Sequence, residues 1–183
     1  MKKALLEKNK DVLTLMGLVL LQLQTAEKLI RFCMTFVFQK NSSPLTIDIL
    51  KNQEQSERKK TIGFFLKELR KHVSIHESFD KLLVDFLNNR NDFIHDLSRV
   101  QNFDLYSSDN AQEAKQFLYT LFGQTDKVVK VFSGLIMSWQ EQCMPNSIQF
   151  TQKKLSENTE LFSEIETYKQ LVDHLFMPKR DNV

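Results

Sequence analysis

Glycine and proline are scarce in this sequence, with four glycines and three prolines among 183 residues. A β-rich chain of this length would need many tight turns, which depend on the backbone conformations that glycine and proline favour. Long helices joined by a few loops need far fewer such residues. The scarcity therefore predicts an all-α fold, and the length is sufficient for one domain that buries its own core.

The spacing of apolar residues predicts an up-and-down bundle of about five helices. We expect them at about 4–38, from 61, from 74 or 76 to 100, from 108 or 109 to 143, and from 145 onward. Pro44 stops the first helix, and the polar residues 51–60 predict a loop. A single helical domain is expected over residues 1–178, followed by a flexible tail at 179–183.

The first predicted helix carries an apolar row in alternating steps of four and three residues, which is typical of a bundle helix. This row consists of Val12, Met16, Val19, Leu23, Ala26, Ile30, Cys33 and Val37. A second apolar set widens it, namely Leu13, Leu20, Ile30, Met34 and Phe38. A helix of about 35 residues spans roughly 50 Å, which is more than one compact bundle needs. We therefore expect either a kink near Gly17 or a surface for a second copy of the chain.

Neither a membrane span nor an export signal is indicated. The apolar run from Val12 to Leu21 has only about half of the ~20 residues that cross a bilayer. Charged residues from Glu7 onward interrupt any early apolar segment of a signal peptide. The two cysteines, Cys33 and Cys143, form no CxxC pair, so the sequence predicts neither a disulfide framework nor a zinc site. We expect a cytoplasmic protein that needs no cofactor.

The net charge of +2 is too small to indicate nucleic-acid binding by itself. One local basic cluster surrounds the start of the second predicted helix: Arg58, Lys59, Lys60, Lys67, Arg70 and Lys71. Such a cluster is usually a solvated helix face. Contact with RNA is the alternative interpretation, and it gains weight if a nucleic-acid cleft lies close by.

The third predicted helix breaks its own apolar pattern at one position. Its apolar residues are Phe79, Leu83, Phe86, Phe93 and Leu97. Alternating steps of four and three residues require an apolar side chain at position 90, where the sequence has Arg90. A buried arginine is costly unless an anion or a carboxylate meets it. Positions at which local rules fail are where functional residues concentrate.

Two polar residues lie close to Arg90 on the same predicted helix. Asn91 and His95 are four residues apart and therefore share a face, within reach of a long guanidinium side chain. The set offers a permanent cation, an amide and an imidazole that titrates near neutral pH. A neutral imidazole can take the proton of a ribose 2′-hydroxyl, and a guanidinium can stabilise the charge that develops on the phosphate. This chemistry requires no metal ion, and Asp92 and Asp96 form no ligand cluster with other residues.

The segment Arg90-Asn91-Asp92-Phe93-Ile94-His95 resembles the R-x(4–6)-H motif of HEPN domains. The resemblance implies a helical bundle that dimerises so that two copies of the motif line one cleft. It also implies a metal-independent endoribonuclease of a toxin–antitoxin or antiphage system, with RNA as substrate and a cognate antitoxin or regulatory protein as partner. The family's functional residues map onto Arg90, Asn91 and His95. Some toxin members carry a tyrosine two residues after the histidine, where this chain has Leu97.

An alternative from another functional class stays open at the level of sequence. The chain could be a catalytically silent helical interaction or regulatory protein, with Arg90 paired to a carboxylate such as Asp85 or Asp96 and His95 bonded to a backbone carbonyl. Arg70 and His76 also fit an R-x5-H pattern. We interpret that second match as chance, because we expect Ser74 to end the helix before His76.

Overall fold

The structure is a computed structural model, and it describes residues 9–37, 61–101, 103, 111–143 and 159–178. Within these residues there are five α-helices and two short strands. The helices are α1 (Lys10–Phe32), α2 (Ile62–His72), α3 (Glu77–His95), α4 (Ala111–Cys143) and α5 (Thr159–Leu175), and the strands are β1 (Val73–Ile75) and β2 (Phe176–Pro178). A π-helical segment, Cys33–Val37, follows α1, and a 3-10 turn, Leu97–Arg99, follows α3. The predicted helical character of the chain is confirmed.

Several predicted features lie outside the described residues. They are the first residues of the first helix (4–8) and its end at Phe38, the stop at 41–44, the loop at 51–60 with Arg58, Lys59 and Lys60, the cap at 108 or 109, the start of the last helix at 145–147, and the tail at 179–183. These features stay predictions.

Helix α2 shows how local sequence determines a helix in this chain. The hydroxyl of Thr61 accepts a hydrogen bond from the backbone N–H of Phe64 at 3.3 Å and so caps the first turn. The predicted apolar stripe of Ile62, Phe65, Leu66 and Leu69 is buried. The chain then becomes extended at Val73.

The two strands form an antiparallel pair that joins distant parts of the chain. Val73 lies opposite Pro178, Ser74 opposite Met177, and Ile75 opposite Phe176. The backbone N–H of His76 also donates to the carbonyl of Leu175 at 2.9 Å. No strand was expected from the sequence, because three residues are too few for an alternating apolar pattern to be recognised.

The described residues divide into two compact units. The first contains described residues of 1–26 and 81–128, and the second contains described residues of 27–80 and 129–183. The core of the first unit consists of Val12, Val19, Leu23, Ala26, Leu83, Phe86, Phe93, Ala114, Leu118, Leu121 and Val128. The core of the second unit consists of Ile30, Cys33, Ile62, Phe65, Leu66, Leu69, Phe79, Val131, Phe132, Leu135, Val172 and Phe176.

Of the eight residues in the predicted apolar row of the first helix, Met16 and Val37 are half-buried and the other six are buried. The α-helix is continuous through Gly17, and the change of helix type comes only at Cys33. By length and composition the stretch Lys10–Val37 would also be able to cross a membrane, with a mean hydropathy of 1.3 in its most apolar window. Core helices of soluble proteins and N-terminal signal sequences pass the same test, and 22% of this window is buried.

Candidate functional site

Helix α3 carries the candidate site at its C-terminal end. Phe79, Leu83, Phe86 and Phe93 are buried, as the apolar spacing predicted. Leu97 lies beyond the helix in the 3-10 turn and is half-buried. Arg90 falls on the buried stripe but is itself half-buried, because its long aliphatic stem can lie against the core while the guanidinium extends outward.

The structure brings Arg90, Asn91 and His95 together through one nitrogen atom. Nη1 of Arg90 donates to Oδ1 of Asn91 at 3.0 Å and lies 3.3 Å from Nε2 of His95. His95 is exposed, whereas Asn91 is half-buried. All three predicted site residues therefore form one contact set whose imidazole is open to solvent.

The contact between Arg90 and His95 is favourable for only one arrangement of the protons on the imidazole. A guanidinium N–H can only donate a hydrogen bond, so the 3.3 Å contact is favourable only when Nε2 of His95 carries no proton and accepts. The remaining ring proton of a neutral imidazole then lies on Nδ1. In this arrangement the unprotonated nitrogen is the one nearest the guanidinium.

The carboxylates of Asp92 and Asp96 interact with residues of the 3-10 turn that follows α3. Oδ1 of Asp96 accepts from the backbone N–H of Ser98 at 3.2 Å and from its hydroxyl, and Arg99 Nε donates to Oδ2 at 3.1 Å. Nη1 of Arg99 also lies 4.0 Å from Oδ1 of Asp92. The Ser98 hydroxyl, followed by the Ser98 N–H and the charge of Arg99, holds the pKa of Asp96 below its usual value. Asp96, one of the carboxylates considered for Arg90, is thus paired with Arg99.

A hydrogen bond that sequence reasoning missed lies beside the motif. Nδ2 of Asn89 donates to Oε1 of Gln124 at 2.9 Å and so links α3 to α4 directly next to Arg90. The two residues are 35 positions apart, and no local spacing pattern connects them. The only feature of the sequence that pointed to this bond was an amide residue, Asn89, directly before Arg90.

The second R-x5-H match is split because α2 ends at His72, before His76 as expected, and the strand β1 follows. Nε of Arg70 donates to Oδ1 of Asp80 at 2.7 Å, forming an ion pair. His76 is used at the start of α3, where its Nδ1 contacts the Ser78 hydroxyl at 2.9 Å. Both side chains therefore have structural partners apart from each other.

The basic cluster around α2 is partly neutralised in its described part. Arg70 pairs with Asp80, and Nζ of Lys71 pairs with Oε1 of Glu68 at 2.6 Å. The Lys71 contact also lowers the pKa of Glu68. These pairs favour the interpretation of the cluster as a solvated face.

Among the described residues no group of three or more His, Cys, Asp or Glu side chains is arranged to hold a metal ion. No family model, curated protein or solved structure matches this chain. The functional assignment is therefore based on the residues and geometry of the α3 site.

Proposed function

We propose that the protein is a metal-independent endoribonuclease of the HEPN type that works as a homodimer. The observation that carries the proposal is the double contact of Arg90 Nη1 with Asn91 and with the exposed His95 at the end of α3. These three residues match the R-x4-H motif in sequence, and the Arg90 side chain contacts the other two.

The proposed reaction is an internal transesterification of RNA. Nε2 of His95 takes the proton of a ribose 2′-hydroxyl, and the resulting oxygen attacks the adjacent phosphorus. Arg90 moves its hydrogen bond from the imidazole to a phosphate oxygen and stabilises the charge that develops there, while Asn91 orients the guanidinium. The P–O5′ bond breaks, the 5′ oxygen receives a proton, and the products are a 2′,3′-cyclic phosphate and a 5′-hydroxyl.

A second copy of the motif fits this chemistry. The reaction needs one group that accepts the 2′-hydroxyl proton and one that donates a proton to the 5′ oxygen in the same turnover. Two His95 side chains that share a cleft would supply both functions, with Arg90 from each copy on the phosphate. A cytoplasmic role in a toxin–antitoxin or antiphage system, with a cognate antitoxin or regulatory protein as partner, follows from the family resemblance and belongs to this proposal.

The direct test compares two histidine variants in an RNA cleavage assay. His95→Ala should lower cleavage by about 10²–10⁴-fold, because the proton acceptor is removed. His76→Ala is the matched control, since His76 is also exposed and its imidazole contacts Ser78 at the start of α3. Cleavage that is equal in wild type and His95→Ala would mean that another site or a contaminant is responsible.

Arg90→Ala separates the enzyme from a catalytically silent interaction protein. Arg90 is half-buried rather than buried, so we expect a loss of about 1 kcal/mol in the free energy of unfolding. A silent protein that uses Arg90 in a buried ion pair would lose about 3–5 kcal/mol. Urea unfolding measures the difference, and loss of cleavage without loss of folding supports the enzyme.

A further inference from the structure

The outer face of α1 is apolar and exposed. Four leucines on it are open to solvent in the following fractions: Leu13 36%, Leu18 51%, Leu20 40% and Leu21 63%. The opposite face of the same helix is buried in the core of the first unit. The helix is therefore apolar on two sides, and the protein's own core accounts for only one of them. Exposed apolar faces of this kind mark interaction surfaces.

No charged residue interrupts this face over the fifteen residues 12–26, a length of about 22 Å. Near its middle, apart from the adjacent residues and the backbone of the helix itself, no atom lies within 4 Å of the place where a Cβ of Gly17 would lie. On a helix surface the positions three and four residues away surround a given residue. Leu13, Leu20 and Leu21 therefore surround Gly17, where the missing side chain leaves a hole in the helix surface. A large side chain from another molecule can fit into this hole.

We infer that a second copy of this chain occupies the face, with its α1 antiparallel to the first. Lys10, Leu13, Gly17, Leu20, Gln24 and Glu27 follow each other in alternating steps of three and four, which is the spacing of a helix–helix seam. In an antiparallel pair Leu20 of each copy fills the hole at Gly17 of the other. The two copies use the same surface, as a two-fold interface requires.

The charges at the ends of the seam determine the direction of the second helix. The antiparallel pair places Lys10 of each copy next to Glu27 of the other, with opposite charges. A parallel two-fold pair would place Lys10 against Lys10 and Glu27 against Glu27, and close like charges are unfavourable. The charge pattern of this chain is therefore complementary to a reversed copy of itself.

A bilayer fits the same face less well. The uncharged run of about 22 Å is shorter than the ~30 Å hydrocarbon core of a membrane. Val12, Val19 and Leu23, on the other side of the helix, are at most 1% exposed and packed against the protein. Insertion of α1 would require this core to open.

Sedimentation equilibrium of the full chain without RNA tests the inference, which does not rest on ribonuclease activity. Wild type should be a dimer, and Leu20→Glu should weaken dimerisation by at least about tenfold because it puts a charge into the seam. Leu171→Glu is the matched control, since Leu171 is 42% exposed on α5. Gly17→Gln is a second variant that fills the hole while its new Cβ lies in open space in the monomer.

Loss of the dimer in Leu20→Glu and Gly17→Gln, with the dimer retained in Leu171→Glu, supports the α1 interface. A monomeric wild type at the highest soluble concentration overturns it, as does a dimer that none of these substitutions weakens. Co-sedimentation of a monomeric wild type, but not of Leu20→Glu, with phosphatidylcholine vesicles would assign the face to a membrane and would also overturn it. The proposed function also includes a homodimer, so a monomeric wild type would contradict that part of it. RNA cleavage is measured separately and tests the role of His95, and a dimer with an intact α1 interface but no cleavage would contradict only the ribonuclease proposal.

Discussion

Arg90 lies on the buried stripe of α3, yet its guanidinium reaches the side of the helix that carries His95. One nitrogen contacts Asn91 at 3.0 Å and His95 at 3.3 Å. A lysine at the same position would supply a charge but not a planar group with several fixed donors. The proposed chemistry of the site therefore depends on an arginine, rather than a lysine, at position 90 and on the exposure of the His95 imidazole.

The carboxyl of Asp96 leads to a prediction about how stability depends on pH. Its pKa is lowered chiefly by the hydrogen bond from the Ser98 hydroxyl. Because the pKa of Asp96 in the folded protein is lower than its ordinary value of 3.8, the ionised carboxyl stabilises the fold at pH values above 3.8. This stabilisation is lost as the pH falls through the lower pKa of the folded state. Ser98→Ala should therefore raise the pKa of Asp96 toward 3.8, as measured by carbon-detected NMR titration. An unchanged pKa in the variant would contradict the cause that we assign.

Spacing alone predicted the first residue of the site, because a break in a four-three pattern is visible in a single sequence. Arg90 was found in this way, whereas Asn91 and His95 were chosen because they lie four residues apart on a neighbouring face and fit the R-x4-H resemblance. The contact of Arg90 with both neighbours was not predictable in detail, since it depends on side-chain torsions that a residue pattern does not specify. The bond from Asn89 to Gln124 was missed because it joins two helices.

Helices α4 and α5 approach each other closely at one glycine. A Cβ at Gly134 would lie 3.0 Å from both the backbone N of Lys169 and the carbonyl carbon of Tyr168. Backbone atoms of a neighbouring helix cannot move aside as the end of a side chain can. The ion pair between Lys169 Nζ and Glu141 at 2.6 Å holds the same two helices together.

Two glycine substitutions in α4 test this packing. Gly134→Ala should lower the free energy of unfolding by about 1–3 kcal/mol, because the added methyl group overpacks the contact. Gly123→Ala is the control in the same helix, where nothing lies within 4 Å of the new Cβ. It should leave stability unchanged or raise it by up to about 1 kcal/mol. Equal urea denaturation curves for the two variants would contradict the close approach.

Helices were more predictable than strands at the scale of elements. Five buried positions of α1, Cys33 in the π-helical segment after it, and the whole buried stripe of α2 followed from apolar periodicity. The end of α2 near Ser74 was also predicted, whereas β1 and β2 were not. Each strand has only three residues, and their pairing depends on chain segments about one hundred positions apart.

Phe176 connects the last described strand to the core of the second unit. Its ring lies 5.6 Å from that of Phe79 and 6.2 Å from that of Phe132, measured between centroids. Phe176→Ala should therefore lower the free energy of unfolding by about 3–5 kcal/mol. Met177→Ala is the adjacent control, because Met177 is 48% exposed, and it should change stability by no more than about 0.5 kcal/mol. Chemical denaturation compares them, and similar losses would contradict the role given to Phe176.

For the molecule as a whole, composition and periodicity predicted the helical character, which is confirmed. Arrangement of the helices as a HEPN-like bundle, and pairing of two copies, stay predictions. Apolar periodicity identifies the buried face of each helix but does not specify which helices pack against each other. The division of the described residues into two compact units was likewise not visible in the sequence, because it depends on contacts between distant segments.

The most direct test of the ribonuclease proposal is incubation of a mixed RNA pool with wild type and with folded His95→Ala in excess EDTA. We expect wild type alone to cut the RNA and to leave 2′,3′-cyclic phosphate and 5′-hydroxyl ends, because His95 activates the 2′-hydroxyl without a metal ion. Cleavage that disappears in EDTA, or 3′-hydroxyl ends in the products, would contradict that mechanism. No cleavage by wild type across RNA pools of varied sequence and structure would contradict the proposed function and favour the silent interaction protein.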